Sequence, residues 1–312
     1  MKHLLFAVLA NAILFAAEPV TLETPTGTVY GTLELPSGGG PFPVVVIHSG
    51  SGPTDRDGNT PALPGKNDSL KMLAEAMAGQ GIASLRYDKR GIAASAKAGP
   101  KEEDLRFDNY IDDAVAWGHQ LRKDKRFGKL IYLGHSEGAL ILCVAAQKLP
   151  ADGFISVAGA GRPAGAILVE QLRPQVPPDV MRQVELVVDS LKQGNTVPNP
   201  PEALAALFRP SVQPYLISWF RYDPAVEMGK LNMPSLILQG DTDVQVSITD
   251  ARLLKGGQRA ASLAIVNGMN HVLKLAPADP RQQAASYSDP SLPVVPKLVT
   301  EVVAFVQSVA RQ

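Results

Sequence analysis

The chain is predicted to be an α/β protein, a mostly parallel, twisted sheet with helices on both faces and an inserted helical cap. Three observations predict it. Short apolar runs at 44–47, 82–87, 130–133 and 154–157 are separated by longer stretches of helical spacing, the alternation of strand–helix units around a parallel sheet. Several of these runs are apolar at successive positions, as in strands covered on both faces. Between 163 and 227 the alternation stops: helical patterns divided by Pro clusters intervene, and strand-like sequence resumes at 235–239.

The elements follow in order. Residues 20–22 and 28–35 read as a leading antiparallel pair, because 28–35 alternates apolar with small or polar side chains. The run 44–47 is the first covered strand, and the Gly- and Pro-rich segment 48–59 after it is too punctuated to be regular. Leu70, Leu73, Ala74 and Met77 share one helical face behind Asn67-Asp68-Ser69, and Gly79-Gln80-Gly81 stops the helix. The strand 82–87 ends at Asp88-Lys89-Arg90-Gly91, read as a charged pair bracing a tight turn. Asp55, Arg56 and Asp57 are read as a local ion cluster. An amphipathic helix over 107–124, capped by Asp108, buries Ile111, Val115 and Leu121. In the cap, helical patterns at 167–172, 180–192 and 203–208 precede an aromatic group, Tyr215, Trp219, Phe220 and Tyr222. A strand at 235–239, a helix at 249–255, a strand at 262–266 and a terminal helix at 298–309 complete the chain.

Length and charge limit the function. The 312 residues suffice for one large domain with an insertion, and 30 basic against 30 acidic side chains argue against an extended nucleic-acid surface. The single cysteine, Cys143, lies among Leu140, Ile141, Leu142 and Val144 and reads as a buried thiol. Lys2 followed by an apolar stretch to Ala17 has the form of a secretory signal peptide. The expected division is a signal peptide at 1–17, a core at 18–162 and 228–312, and a cap at 163–227. The expected location is exported, periplasmic or secreted, with no stable membrane span after cleavage.

The densest chemistry lies at 129–147, KLIYLGHSEGALILCVAAQ. An apolar strand, Gly134-His135-Ser136-Glu137-Gly138 and a helix-forming run make the strand–turn–helix setting of a nucleophile elbow. Ser136 is the expected nucleophile, backed by the free N–H groups of a helix start. A serine hydroxyl needs an imidazole to take its proton, and the imidazole needs a carboxylate on its other nitrogen. His3 lies in the signal segment, His119 on a helix, His48 at a strand end and His135 inside the elbow, so His271, after the last strand, is the expected base. Asp241 and Asp243 compete for the acid. One oxyanion donor is expected at the Glu137 N–H. The other lies in the loop 48–59, at Ser51 with Gly50 as the next candidate. His48, His135, Tyr215 and Trp219 are expected to line a substrate pocket. No metal is expected.

The segments SGSGPTDRDGN, RYDKRGIAAS, GHSEGA, GDTDVQV and GMNHVLK jointly resemble bacterial α/β-hydrolases of the serine-aminopeptidase-like (Hydrolase_4) group, especially secreted carboxylesterases of the EstD type. The likeness runs from about residue 28 to the C-terminus. In that group the pattern after the strand is G-x-x-D-x-x-V, which Gly240, Asp243 and Val246 fit, so the resemblance selects Asp243. Ala93 departs from it, standing where the RG-x-G-x-S pattern has Gly. The resemblance implies an α/β-hydrolase fold and hydrolysis of short-to-medium acyl esters of small molecules through an acyl-enzyme, without a cofactor. An aminopeptidase or other amide hydrolase on the same triad is the enzymatic alternative. It would need a buried acid to hold the substrate amine, with Glu170, Glu185 and Glu227 as candidates. A non-catalytic binding protein on the same fold is the other alternative.

Overall fold

The structure, a computed structural model, describes residues 16–312. The expected signal peptide therefore falls outside the described residues except for Ala16 and Ala17, which open the first strand. In chain order the main elements are β1 (Ala16–Thr24), β2 (Gly27–Leu35), β3 (Phe42–His48), α1 (Ser69–Ala78), β4 (Ala83–Tyr87), α2 (Phe107–Lys123), β5 (Phe127–His135), α3 (Glu137–Lys148) and β6 (Gly153–Val157). There follow α4 (Ala164–Leu172), α5 (Pro178–Lys192), α6 (Ala205–Phe208), α7 (Gln213–Phe220) and α8 (Pro224–Gly229). Then come β7 (Ser235–Gly240), α9 (Ile248–Gly257), β8 (Ser262–Val266) and α10 (Pro296–Ala310).

The strands form one eight-stranded sheet ordered β1-β2-β4-β3-β5-β6-β7-β8. β1 and β2 are antiparallel to each other and β2 to β4; every other neighbouring pair is parallel. Parallel strands need crossover helices, which cover both faces of the sheet. On one face Phe107, Ile111 and Trp117 of α2 and Ile141 and Leu142 of α3 pack on Val44, Val46, Leu130 and Tyr132. On the other, Leu70 and Leu73 of α1 and Leu298, Val302 and Val306 of α10 pack on Val45, Ile47, Ile131 and Leu133. The split between 44/46 and 45/47 is the period-2 alternation of a strand, here apolar on both sides. One consequence is that the C-terminal ends of β3 to β8 all lie along one edge, where open α/β sheets carry their ligand sites.

Between β6 and β7 the segment 163–227 carries α4 to α7 and the start of α8. It has its own apolar cluster, with Val184, Val188, Leu191, Phe208, Leu216 and Phe220 buried together. Among the described residues no helix is long and apolar enough to cross a membrane.

Two local expectations are corrected. Asp108 does not cap α2; it lies in the first turn and binds Arg221 and the Tyr222 hydroxyl, both at 2.7 Å, fastening the inserted segment to the core. The acidic and basic residues of the two polar loops do not pair locally. Arg56 pairs with Asp88 at 2.7 Å, Asp57 pairs with Arg86, and Arg90 donates its Nε to Asp113 at 2.6 Å. Strands distant in sequence are neighbours in the sheet, so the nearest opposite charge lies on another element.

Candidate active site

β5 runs directly into Ser136 and α3. Ser136 has φ 55° and ψ −122°, a backbone conformation that costs a side-chain-bearing residue strain and marks functional turns. The turn closes because its flanks lack side chains. A Cβ on Gly134 would strike the backbone of Gly138 and Ala139, and one on Gly138 would strike the carbonyls of His48 and Ser49. Glu137 starts α3, so its N–H lies at the unbonded, positive end of the helix.

Asp243, on the loop after β7, and His271, on the loop after β8, meet: His271 Nδ1 lies 2.9 Å from Asp243 Oδ2. A carboxylate only accepts, so Nδ1 carries the hydrogen and Nε2 is left with a free lone pair. Asp243 is saturated. Its Oδ1 accepts from the backbone N–H groups of Gln245 (2.8 Å) and Val246 (3.0 Å), and its Oδ2 also from Gln239 Nε2 (3.1 Å). Burial alone would raise this carboxyl; its interaction with His271 and the backbone N–H bonds from Val246 and Gln245 outweigh burial and hold it below its usual range. Asp241 is otherwise engaged, accepting from the Gly268 N–H at 2.6 Å and bracing the turn before His271.

The link between His271 and Ser136 runs through the residue before the serine. His135 Nε2 donates to the His271 carbonyl at 2.8 Å, and the two rings lie 5.0 Å apart. His135 is thus a tether rather than a pocket wall. Burial, then the neighbouring His271, lowers its pKa to about 4, so it is neutral. Asn270 shapes the same loop: its amide donates to Ser286 Oγ at 2.7 Å and its carbonyl accepts from the Lys274 N–H at 3.1 Å.

On the loop after β3, Gly50 lies against Ser136. A Cβ built on it would stand 3.1 Å from Ser136 Cβ and 3.6 Å from Ser136 Oγ. Its carbonyl accepts from the buried Lys89 ammonium. Ser51 is exposed, and among the described residues its N–H donates to no protein group.

His48 does not line a pocket. It is 1% exposed and shares the face of Val44 and Val46, which strand alternation turns toward α2. Its Nδ1 donates to the Ser49 carbonyl at 2.8 Å, and its ring meets Tyr87 edge-on at 5.3 Å. Burial, then nearby Lys89, lowers its pKa to about 3. Trp219 stacks on Phe107 at 5.7 Å, and Tyr215 packs on Phe107 and Tyr110. These aromatics bind α7 to α2, the ordinary use of large apolar rings at helical spacing. Tyr215 does reach the elbow, donating its hydroxyl to the Glu137 carboxylate.

Two residues with polar contacts at this site were not singled out by sequence. Gln239 follows the apolar run Leu236-Ile237-Leu238 of β7 as a fully buried amide, a usable signal; Lys89 was hidden in a turn rich in charge. Among the described residues no three or more His, Cys, Asp or Glu side chains group as metal ligands would.

Residues 66–227, more than half of the chain, match the model of the Hydrolase_4 family, described as serine aminopeptidase, S33. The chain is 29% identical over 246 residues to Esterase EstD of Thermotoga maritima, an alignment covering 78% of this chain and 57% of that protein. The chain thus spans little more than half the length of that relative. Among solved structures it is similar to Est1E of Butyrivibrio proteoclasticus with ferulic acid bound (TM-score 0.60, 17% identity, 91% of this chain and 96% of that one). It is also similar to a proline iminopeptidase of Mycobacterium smegmatis (TM-score 0.60, 12% identity, 94% and 98%). At such identities the two structures carry the fold and not the substrate. The sheet and its order, the solved neighbours and the family match agree: this chain has the α/β-hydrolase fold and belongs to the Hydrolase_4, or serine aminopeptidase S33, family.

Proposed function

We propose that the protein is a serine carboxylesterase that hydrolyses short-to-medium acyl esters of small molecules through an acyl-enzyme on Ser136. The observation that carries this is the 2.9 Å contact of His271 Nδ1 with a saturated, buried Asp243, on loops tethered by His135 to the strained Ser136 turn. The Ser136 hydroxyl attacks the ester carbonyl and its proton passes to His271 Nε2. The imidazolium that forms is stabilised by Asp243. The N–H groups of Ser51 and Glu137 hold the carbonyl oxygen as it gains charge. His271 then protonates the departing alkoxide. A water gives its proton to His271, attacks the acyl-enzyme and releases the acid, and the proton returns to Ser136.

The esterase relative supports this reading over the amide alternative, and so do the acids of the inserted segment. Glu170 is paired with Arg162, Glu185 with Arg173 at 2.8 Å, and Glu227 with Lys230 at 2.7 Å. No carboxylate among these three is left to receive a substrate amine. The apolar N-terminus supports export.

Turnover of p-nitrophenyl acetate by the wild type and by Ser136→Ala tests the proposal. A loss of at least about 10³-fold in kcat is expected. A fluorophosphonate should label Ser136 stoichiometrically in the wild type; folded protein that takes up no label is a binding protein on this fold. A chain-length series of esters set against aminoacyl amides decides the substrate class.

A further inference from the structure

We propose that Lys89 is a positioning residue for this reaction: by holding the Gly50 carbonyl it aims the Ser51 N–H of the oxyanion hole. The inference rests on the esterase reading above.

Lys89 follows Asp88 in the turn that closes β4, and it is 1% exposed. Its ammonium donates to the Gly50 carbonyl, the backbone that lies against Ser136. A peptide unit is planar, and in its trans form the C=O and N–H point in opposite directions. Fixing the Gly50 carbonyl therefore fixes the direction of the Ser51 N–H, and that N–H has no protein partner among the described residues.

The residue proposed for the second arm of the hole carries a side chain that feels the same ammonium without contacting it. Lys89 and the buried Glu137 carboxylate attract each other, while Tyr215 of α7 donates to Glu137 and the Tyr110 ring lies 6.0 Å from the ammonium. Asp55 and Asp88 also favour the charge, and His48 is uncharged beside it. Even so, burial draws the Lys89 pKa down to about 8.

Stability does not account for this arrangement. Among the described residues Lys89 closes no ion pair within 4.0 Å, so its charge is buried on one carbonyl and longer-range attraction. An apolar side chain of similar size would avoid that desolvation cost. What the ammonium does supply is a fixed peptide dipole on one side of the nucleophile and a counter-charge to the residue that follows it on the other. A preorganised donor is the feature that electrostatic catalysis requires.

The test is Lys89→Met, which keeps the side chain's length and removes its donors. The expected kcat for p-nitrophenyl acetate, per titrated active site, falls about 10–100-fold with KM within about threefold, less than deleting a donor outright. Affinity for phenylboronic acid, which forms a tetrahedral adduct on the serine, should fall by the same factor. A structural role alone would lower the melting temperature and leave boronate affinity unmoved. Lys89→Met/Glu137→Gln removes both charges and serves if the single variant does not fold. Unchanged kcat and boronate affinity in a folded variant overturns the inference, as does loss of fold in both variants. A wild type that neither turns over ester nor takes up fluorophosphonate ends the esterase reading and this one with it. A reactive wild type beside an unimpaired Lys89→Met ends this one alone.

Discussion

At the scale of single residues, the two acids after β7 separate by what each oxygen is bonded to. Asp243 receives the imidazole, two backbone N–H groups and Gln239, whereas Asp241 receives the Gly268 N–H. Removing the charge of Asp243 lets His271 adopt the tautomer with its hydrogen on Nε2, which cannot accept the serine proton. Asp243→Asn should therefore lower kcat by about 10⁴-fold with little change in KM. Asp241→Asn keeps an acceptor oxygen for Gly268 and should retain kcat within about threefold. Steady-state ester hydrolysis by the two variants checks both, and equal losses would mean that the acid has been misassigned. This choice was legible in sequence only through a motif. The two aspartates stand two residues apart in an irregular loop, and nothing in that spacing says which one points at residue 271.

At the scale of elements, strands were the most legible part, because a strand between two helical layers is apolar at each position and stands out from its flanks. The runs at 44–47 and 130–133 lie within β3 and β5, and each marks the interior of a strand longer than itself. Of the inserted helices, α4, α5 and α6 were legible from their spacing, whereas α7 was legible only as an aromatic group whose destination the sequence does not give. Whether Trp219 faces a substrate or Phe107 depends on where α7 docks, and docking is a tertiary contact. The turn after β4 shows the reverse case, a sequence oddity with a physical meaning. Ala93 has φ 45°, in the left-handed region that strains any residue with a Cβ, at the position where the related motif carries Gly. Ala93→Gly removes that strain at the cost of a more flexible unfolded chain. The net gain should be about 1 kcal/mol, roughly 2 °C in melting temperature. Thermal unfolding should record this with kcat unchanged, since Ala93 is exposed and touches no catalytic group. A lower melting temperature would mean that the alanine relieves something else.

At the scale of the molecule, the C-terminal edge of the parallel strands is where titratable groups are taken out of water, and stability acquires a pH dependence there. His48 and His135 end β3 and β5, adjacent central strands, and both are buried and neutral, with pKa values lowered from 6.5 to about 3 and about 4. In the window between the folded and unfolded values the unfolded chain holds a proton that the folded chain does not. Each histidine's contribution is thus complete above about pH 6.5 and is lost as pH falls, by up to about 1.4 kcal/mol per pH unit. Asp243, held below the usual carboxylate range, adds a loss of the same sign at lower pH, once it is forced to protonate. Asp57, Asp113 and Glu137 act in the opposite sense, because burial raises their carboxyls and protonation then favours the folded state. The total slope mixes these terms; a substitution at one histidine isolates its own. His48→Phe retains a ring against Tyr87 and Tyr110 and removes the titrating group. The wild type's stability relative to this variant should fall steadily between pH 6.5 and 4, read from urea denaturation at half-unit steps, and level off above pH 7. A difference that does not vary with pH would mean that His48 accepts its proton without unfolding. In that case the polar layer beneath the oxyanion loop is open to water, and the preorganised site inferred for Lys89 and Glu137 loses its physical basis.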